Sequence, residues 1–102
     1  MGDLSPAYEA ERYVILRAFG ANLRLARRAE DYSQRELGRV ARVHDTEVGL
    51  LERGLRGPGL LTILILADAL NVTPVTLLHG LPVPQERKPS SNRRGRAASW
   101  DS

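Results

Sequence analysis

Arginine is the residue type with the clearest chemical capacity in this chain, because its planar guanidinium group suits phosphate oxygens. Fourteen of the fifteen basic residues are arginine, and the 102-residue chain carries a formal net charge of +3. The isoelectric point near 9.9 permits a polyanionic partner without demanding one. A bias in nucleotide composition is the alternative explanation, and the arginine count alone favours it.

The sequence contains few residues that could form a catalytic, metal-binding or cofactor-binding site. The absence of cysteine excludes thiolate zinc sites, disulfides and cysteine nucleophiles. His44 and His79 lie 35 positions apart, and His79, next to Gly80, is interpreted as a helix C-terminal residue. No recognisable set of nucleophile, base and orienting acid occurs, and no phosphate-binding glycine loop of the Walker type. We therefore expect no enzyme, no metal and no cofactor.

The length and hydropathy of the chain predict one small domain outside the membrane. A chain of 102 residues has the length of one domain, and its 42% of hydrophobic residues are enough for a single core. Its longest apolar stretch, residues 60–67, is far below the ~18 residues of a membrane span. The N-terminus, MGDLSPAYEAER, is acidic where a signal peptide is basic. A cytoplasmic protein is the expectation.

Apolar spacing and capping residues predict an all-α fold. Pro6 after Ser5 marks a helix start, and apolar residues at spacings of three and four carry that helix towards Glu30. Gly20 is expected to bend or break it. Residues 33–36, Ser-Gln-Arg-Glu, form a capping box that opens a short second helix.

Two short helices follow each other so closely that they predict a helix-turn-helix unit. The second has Val48 and Leu51 facing inward and Gly54 just past its end. The next run, LLTILILADAL, suits either a buried strand or a helix, and its length and Leu/Ala content favour a helix ending at Asn71. Residues 73–80 then form a last helix, from Thr-Pro to Gly.

The composition divides the chain into three parts. Residues 1–15 are predicted to form an N-terminal helical extension, and residues 16–80 the helix-turn-helix domain. Residues 81–102 are rich in proline and basic residues, poor in large apolar ones, and predicted to be a disordered basic tail. The expected fold is a compact five-helix bundle with these two additions.

Residues 19–78 resemble the Cro/phage-repressor type of helix-turn-helix domain. The matching segments are LRLARR (23–28), YSQREL (32–37), VHDTEVGLLERG (43–54), and PGLLTILILADALNV (58–72) followed by TPVTLL. The resemblance implies a five-helix bundle that binds double-stranded operator DNA as a homodimer. It therefore implies a sequence-specific transcriptional regulator, a small repressor-like protein that reads the major groove with the helix around residues 45–52.

The resemblance also assigns roles to individual residues. In such domains the N-terminal turn of the recognition helix presents side chains to base edges. The base-facing positions implied here are Asp45, Thr46, Glu47, Gly49 and Leu50. The phosphate-contacting positions are Gln34, Arg35, Arg53 and Arg56. Arg27 and Glu52 match a structural salt bridge between the first and third helices.

Several residues depart from the pattern of the family. The carboxylates of Asp45 and Glu47 either accept hydrogen bonds from cytosine or offset the helix dipole. Leu50 suits either a thymine methyl group or a protein contact. Arg42 occupies a turn position where the family usually has glycine, so a positive φ there means backbone strain. The sequence supports the fold more strongly than specific DNA reading.

The fourth helix is apolar on two faces. One stripe, assigned to the core, contains Ile63, Leu66, Ala67 and Leu70. The opposite stripe contains Leu61, Leu64 and Ile65, and a helix apolar on both sides is expected to be buried on both. A partner subunit is the favoured cover, and the N-terminal extension, residues 6–15, is the alternative.

A second class of function stays open at this point. The same fold could serve as a protein-interaction adaptor that contacts transcription machinery or a toxin-like partner through Leu50 and the fourth helix. Duplex binding that weakens steeply with salt favours the regulator, and its absence favours the adaptor.

Overall fold

Five α-helices make up residues 6–83, the part of the chain that the computed structural model describes. They are α1 (Pro6–Ala29), α2 (Gln34–Ala41), α3 (Asp45–Glu52), α4 (Leu60–Ala69) and α5 (Pro74–Leu78). The expected all-α bundle is confirmed, and the leucine-rich run is a helix. The predicted disordered tail lies outside the described residues from position 84 onward.

Helix α1 runs through Gly20 without interruption, so the expected break there is wrong. Gly20 has a different role, because it lets the end of α3 lie directly on α1. A Cβ atom at this position would overlap the carbonyl oxygens of Leu51 and Glu52. Gly20 is thus required by a backbone contact between segments that are distant in sequence. Helix propensity does not predict such a contact.

We expect Gly20→Ala to lower the free energy of unfolding by about 1–3 kcal/mol, the usual cost of overpacking a tight contact. The loss appears although alanine has the better helix propensity by ~1 kcal/mol. Urea denaturation followed by circular dichroism measures it. Gly49→Ala is the matched control, since the nearest atom to its Cβ is the movable Gln34 Oε1 at 3.4 Å. Equal stabilisation by both substitutions would refute the contact.

A capping box begins α2, and a residue with a left-handed backbone conformation follows its end. Ser33 Oγ accepts a hydrogen bond from the Glu36 N–H at 3.0 Å, and Glu36 Oε1 accepts one from the Ser33 N–H at 2.7 Å. The bond from the Ser33 backbone N–H, reinforced by the Ser33 hydroxyl, holds the pKa of Glu36 below its usual range. Helix α2 ends at Ala41, and its C-cap residue Arg42 has φ 61° and ψ 40°, which confirms the strain anticipated there, on the order of 1–2 kcal/mol.

The core lies where all five helices meet. Helix α1 packs on α3 and α5, α2 packs on α3 and α4, and α4 packs on α5. Within the assigned stripe of α4, Leu66, Ala67 and Leu70 are buried, whereas Ile63 is half-buried. The large side chains fully buried in this core are Phe19, Leu23, Leu37, Val48, Leu51, Leu66, Leu70 and Leu77.

Candidate nucleic-acid interface

A histidine caps the start of α3 and leaves its first turn exposed. His44 Nδ1 accepts a hydrogen bond from the Thr46 N–H at 3.3 Å, while the histidine ring is itself largely exposed. Asp45 and Thr46 are both exposed beside it. Sequence reasoning missed His44, which it took as part of the turn. The available signal was its position directly before an acid-rich helix start.

Fewer of the predicted base-facing residues of α3 are exposed than the sequence suggested. Thr46 and the half-buried Leu50 lie four residues apart and therefore on one face of the helix. Gly49, predicted to face bases, is buried, because the side chain of Gln34 lies over it. A base contact by Gly49 stays a prediction, and in the single chain Gly49 lies beneath Gln34.

The carboxylate of Glu47 is engaged by an arginine of the following loop. Glu47 Oε1 lies 2.8 Å from Arg56 Nη1. This ion pair joins the first turn of α3 to the loop after it. Of the two carboxylates at the start of α3, Glu47 is thus compensated by a cation, whereas Asp45 stays exposed.

A buried ion pair locks the start of α2 and the end of α3 against α1. Arg27 Nε donates to Glu52 Oε2 at 2.6 Å, and Arg27 Nη2 donates to Glu52 Oε1 at 3.0 Å. Arg27 Nη1 donates to the Tyr32 carbonyl at 2.8 Å, and Gln34 Nε2 donates to Glu52 Oε1 at 3.1 Å. The hydrogen bonds from Arg27 to Glu52 raise the pKa of the guanidinium group.

The four residues predicted to contact phosphate are all exposed, and three of them touch α3. Gln34 covers Gly49, and Arg56 pairs with Glu47. Arg53 Nε donates to the Gly49 carbonyl at 3.2 Å. Arg35 lies next to Gln34 in the first turn of α2.

The second apolar stripe of α4 is open to solvent in the single chain. Leu61, Leu64 and Ile65 are 69%, 43% and 38% exposed. The alternative in which the N-terminal extension covers them is wrong, because α1 packs on α3 and α5 instead. Leu64 and Ile65 border an open hollow of about 460 Å³ that is also lined by Arg42 and Asp68.

None of the helices within residues 6–83 combines the length and apolar character that crossing a membrane requires. Nor do three His, Asp or Glu side chains of these residues come close enough together to hold a metal ion.

Three solved structures similar to this one carry the names of a controller protein, a gene regulator and a hypothetical transcription factor. The restriction-modification controller protein C.AhdI from Aeromonas hydrophila is 40% identical, with a TM-score of 0.60 over 61% of this chain and 94% of its own. The clp gene regulator ClgR from Corynebacterium glutamicum is 28% identical, with a TM-score of 0.61 over 63% and 82%. The hypothetical transcription factor NHTF from Neisseria is 30% identical, with a TM-score of 0.61 over 71% and 78%.

The family assignment rests on more than half of the sequence. No curated protein matches the chain. Residues 23–77, from the last third of α1 through most of α5, match the model of the HTH_3 family, described as helix-turn-helix. The chain therefore belongs to the HTH_3 family of helix-turn-helix proteins.

Proposed function

We propose that this protein is a DNA-binding transcriptional regulator that reads the major groove with α3. The observation that carries the proposal is the exposed first turn of α3, where Glu47 pairs with Arg56, on a helix whose last residue is held by the buried Arg27–Glu52 pair. Its family and its structural neighbours, which are named as regulators, support the same function.

The proposed base contacts come from three side chains of α3. The Thr46 hydroxyl can donate to or accept from a base edge, and the Asp45 carboxylate can accept from the amino group of cytosine. Leu50, on the same face as Thr46, suits the methyl group of thymine. With Gly49 buried and Glu47 paired to Arg56, these three residues form the proposed reading surface.

The proposed phosphate contacts come from Gln34, Arg35, Arg53 and Arg56, and they position the domain without reading sequence. In Arg56 the ion pair with Glu47 uses Nη1 and leaves the other edge of the guanidinium fork available. Because Glu47 anchors one edge, less side-chain freedom is lost when the other edge binds phosphate.

We expect Arg56→Ala to weaken binding to all duplexes alike and to reduce the salt slope of the affinity by about one unit. Fluorescence anisotropy of labelled duplexes over a salt series measures both quantities. Thr46→Val is the contrasting variant and should change the ranking of duplexes enriched from a random library. A loss for Arg56→Ala that depends on sequence contradicts the role assigned to it.

The proposed regulator is a homodimer joined through the exposed stripe of α4. A two-fold axis buries Leu61, Leu64 and Ile65 of both copies and sets two recognition helices about one DNA turn, ~34 Å, apart. Arg42 and Asp68 border the same hollow with opposite charges, so each can meet the other across the axis. A cytoplasmic location belongs to this proposal, because the regulator must reach duplex DNA.

One observation favours a second candidate, a protein-interaction adaptor. Leu50 is apolar and partly exposed on the reading face, and the exposed Asp45 carboxylate beside it disfavours nearby phosphate. The salt series separates the two candidates. Wild-type protein that ignores duplex DNA at low salt supports the adaptor and overturns the regulator.

A further inference from the structure

The N-terminal half of α1 supports the loop that carries Arg56. The family match begins at residue 23, whereas α1 begins at Pro6, so this half lies outside the matched region. The loop approaches α1 closely at Gly54, where φ is +73° and an added Cβ would lie 2.9 Å from the Arg17 backbone nitrogen. Farther along, the Cβ position of Gly57 lies 3.4 Å from Leu16 Cδ2.

An arginine of this half of α1 lies beside the same loop. Arg12 Nη2 is 3.8 Å from the Cβ position of Gly57, the residue that follows Arg56. Arg12 and Leu16 are four residues apart and share the face of α1 that lies next to Gly57. Arg12 is exposed and forms no ion pair or hydrogen bond within residues 6–83.

We propose that Arg12 is a further DNA-phosphate ligand, supplied by the N-terminal extension and acting beside Arg56. This inference rests on the proposed function. An exposed cation that forms no ion pair or hydrogen bond within residues 6–83, and that lies beside the loop of a proposed phosphate ligand, is available to release counterions from an adjacent phosphate. Arg12 thereby extends the phosphate-binding surface beyond the region that matches the family.

A purely structural role for Arg12 is the competing explanation. Arg12 borders a small hollow that is also lined by Tyr8, Ile15 and Leu16, and the aliphatic stems of arginines commonly cover apolar surface. The two roles differ in their dependence on charge. If Arg12 only packs through its aliphatic stem, neutralising its charge leaves the affinity for DNA unchanged. If Arg12 binds a phosphate, neutralising its charge lowers that affinity.

The test measures the affinity of the full chain for a labelled duplex of random sequence over a salt series. Arg12→Gln should reduce the salt slope by about 0.9 and weaken binding roughly eightfold at ~0.1 M salt, because one phosphate contact is lost. Arg12→Lys should retain the wild-type slope, because it keeps the charge. Thermal denaturation should show equal midpoints for wild type and both variants.

The matched control is Arg28→Gln, an exposed arginine in the last turn of the same helix. It removes the same charge about 24 Å farther along α1, well beyond the Debye length of ~10 Å at 0.1 M salt. An unchanged slope for Arg12→Gln overturns the inference, and so does an equal loss for Arg28→Gln. Failure of the wild type to bind duplex is a different result, because it overturns the proposed function itself.

Discussion

Replacing Glu52 by alanine is expected to lower the free energy of unfolding by about 3–5 kcal/mol, because the buried Arg27 guanidinium loses its carboxylate. Arg27 and Glu52 side chains are only 10% and 3% exposed, so water cannot replace the lost partner. The Tyr32 carbonyl still accepts from Arg27, but it carries no charge. In a domain of this size the thermal midpoint should fall by about 10 °C or more.

The exposed pair in the same domain provides the control. Arg56 and Glu47 side chains are 56% and 24% exposed, and such surface pairs contribute about 0–1 kcal/mol. Glu47→Ala should therefore change the midpoint by no more than a few degrees. A Glu52→Ala variant no less stable than Glu47→Ala contradicts the structural role of the buried pair.

A double substitution separates the charge from the packing. Arg27→Met combined with Glu52→Met removes both charges while keeping apolar volume, and such replacements are often neutral or stabilising. We expect the double variant to recover most of the stability that Glu52→Ala loses. Its DNA binding should be weaker than that of the wild type, because Gln34 loses the carboxylate that orients it.

Leu64→Glu is expected to convert a dimer into single chains. Light scattering on wild-type protein at micromolar concentration should give the mass of two chains. In the variant, two carboxylates would enter the apolar stripe at the two-fold interface, where removing each from water costs several kcal/mol. The chain itself should still fold, because Leu64 is 43% exposed before any assembly, so far-ultraviolet circular dichroism should show unchanged helicity.

Another exposed leucine tests whether the effect belongs to the α4 stripe. Leu25 is 70% exposed on α1 and lines a different hollow, together with Val75 of α5. Leu25→Glu should leave the mass of two chains unchanged. A monomeric wild type, or dissociation by Leu25→Glu alone, rules out the α4 stripe as the interface.

Local sequence patterns accounted for the helices, whereas the buried ion pair was predicted only from the resemblance to a known family. The capping box at residues 33–36 closes within four residues, and apolar spacing fixed the inward face of α3 through Val48 and Leu51. Such signals depend on neighbours along the chain and therefore can be read without a structure. The pairing of Arg27 with Glu52 came from a match to a known family, because no local rule connects residues 25 positions apart.

Contacts between distant segments could not be predicted in the same way. Gly20 on the end of α3, Gly49 beneath Gln34, Glu47 paired with Arg56, and Arg12 beside Gly57 all depend on how closely two elements approach. Periodicity predicts that a face is buried, but it does not predict which backbone meets it or at what distance. The two apolar stripes of α4 were visible in the sequence; that α1 leaves one of them exposed follows from its packing on α3 and α5.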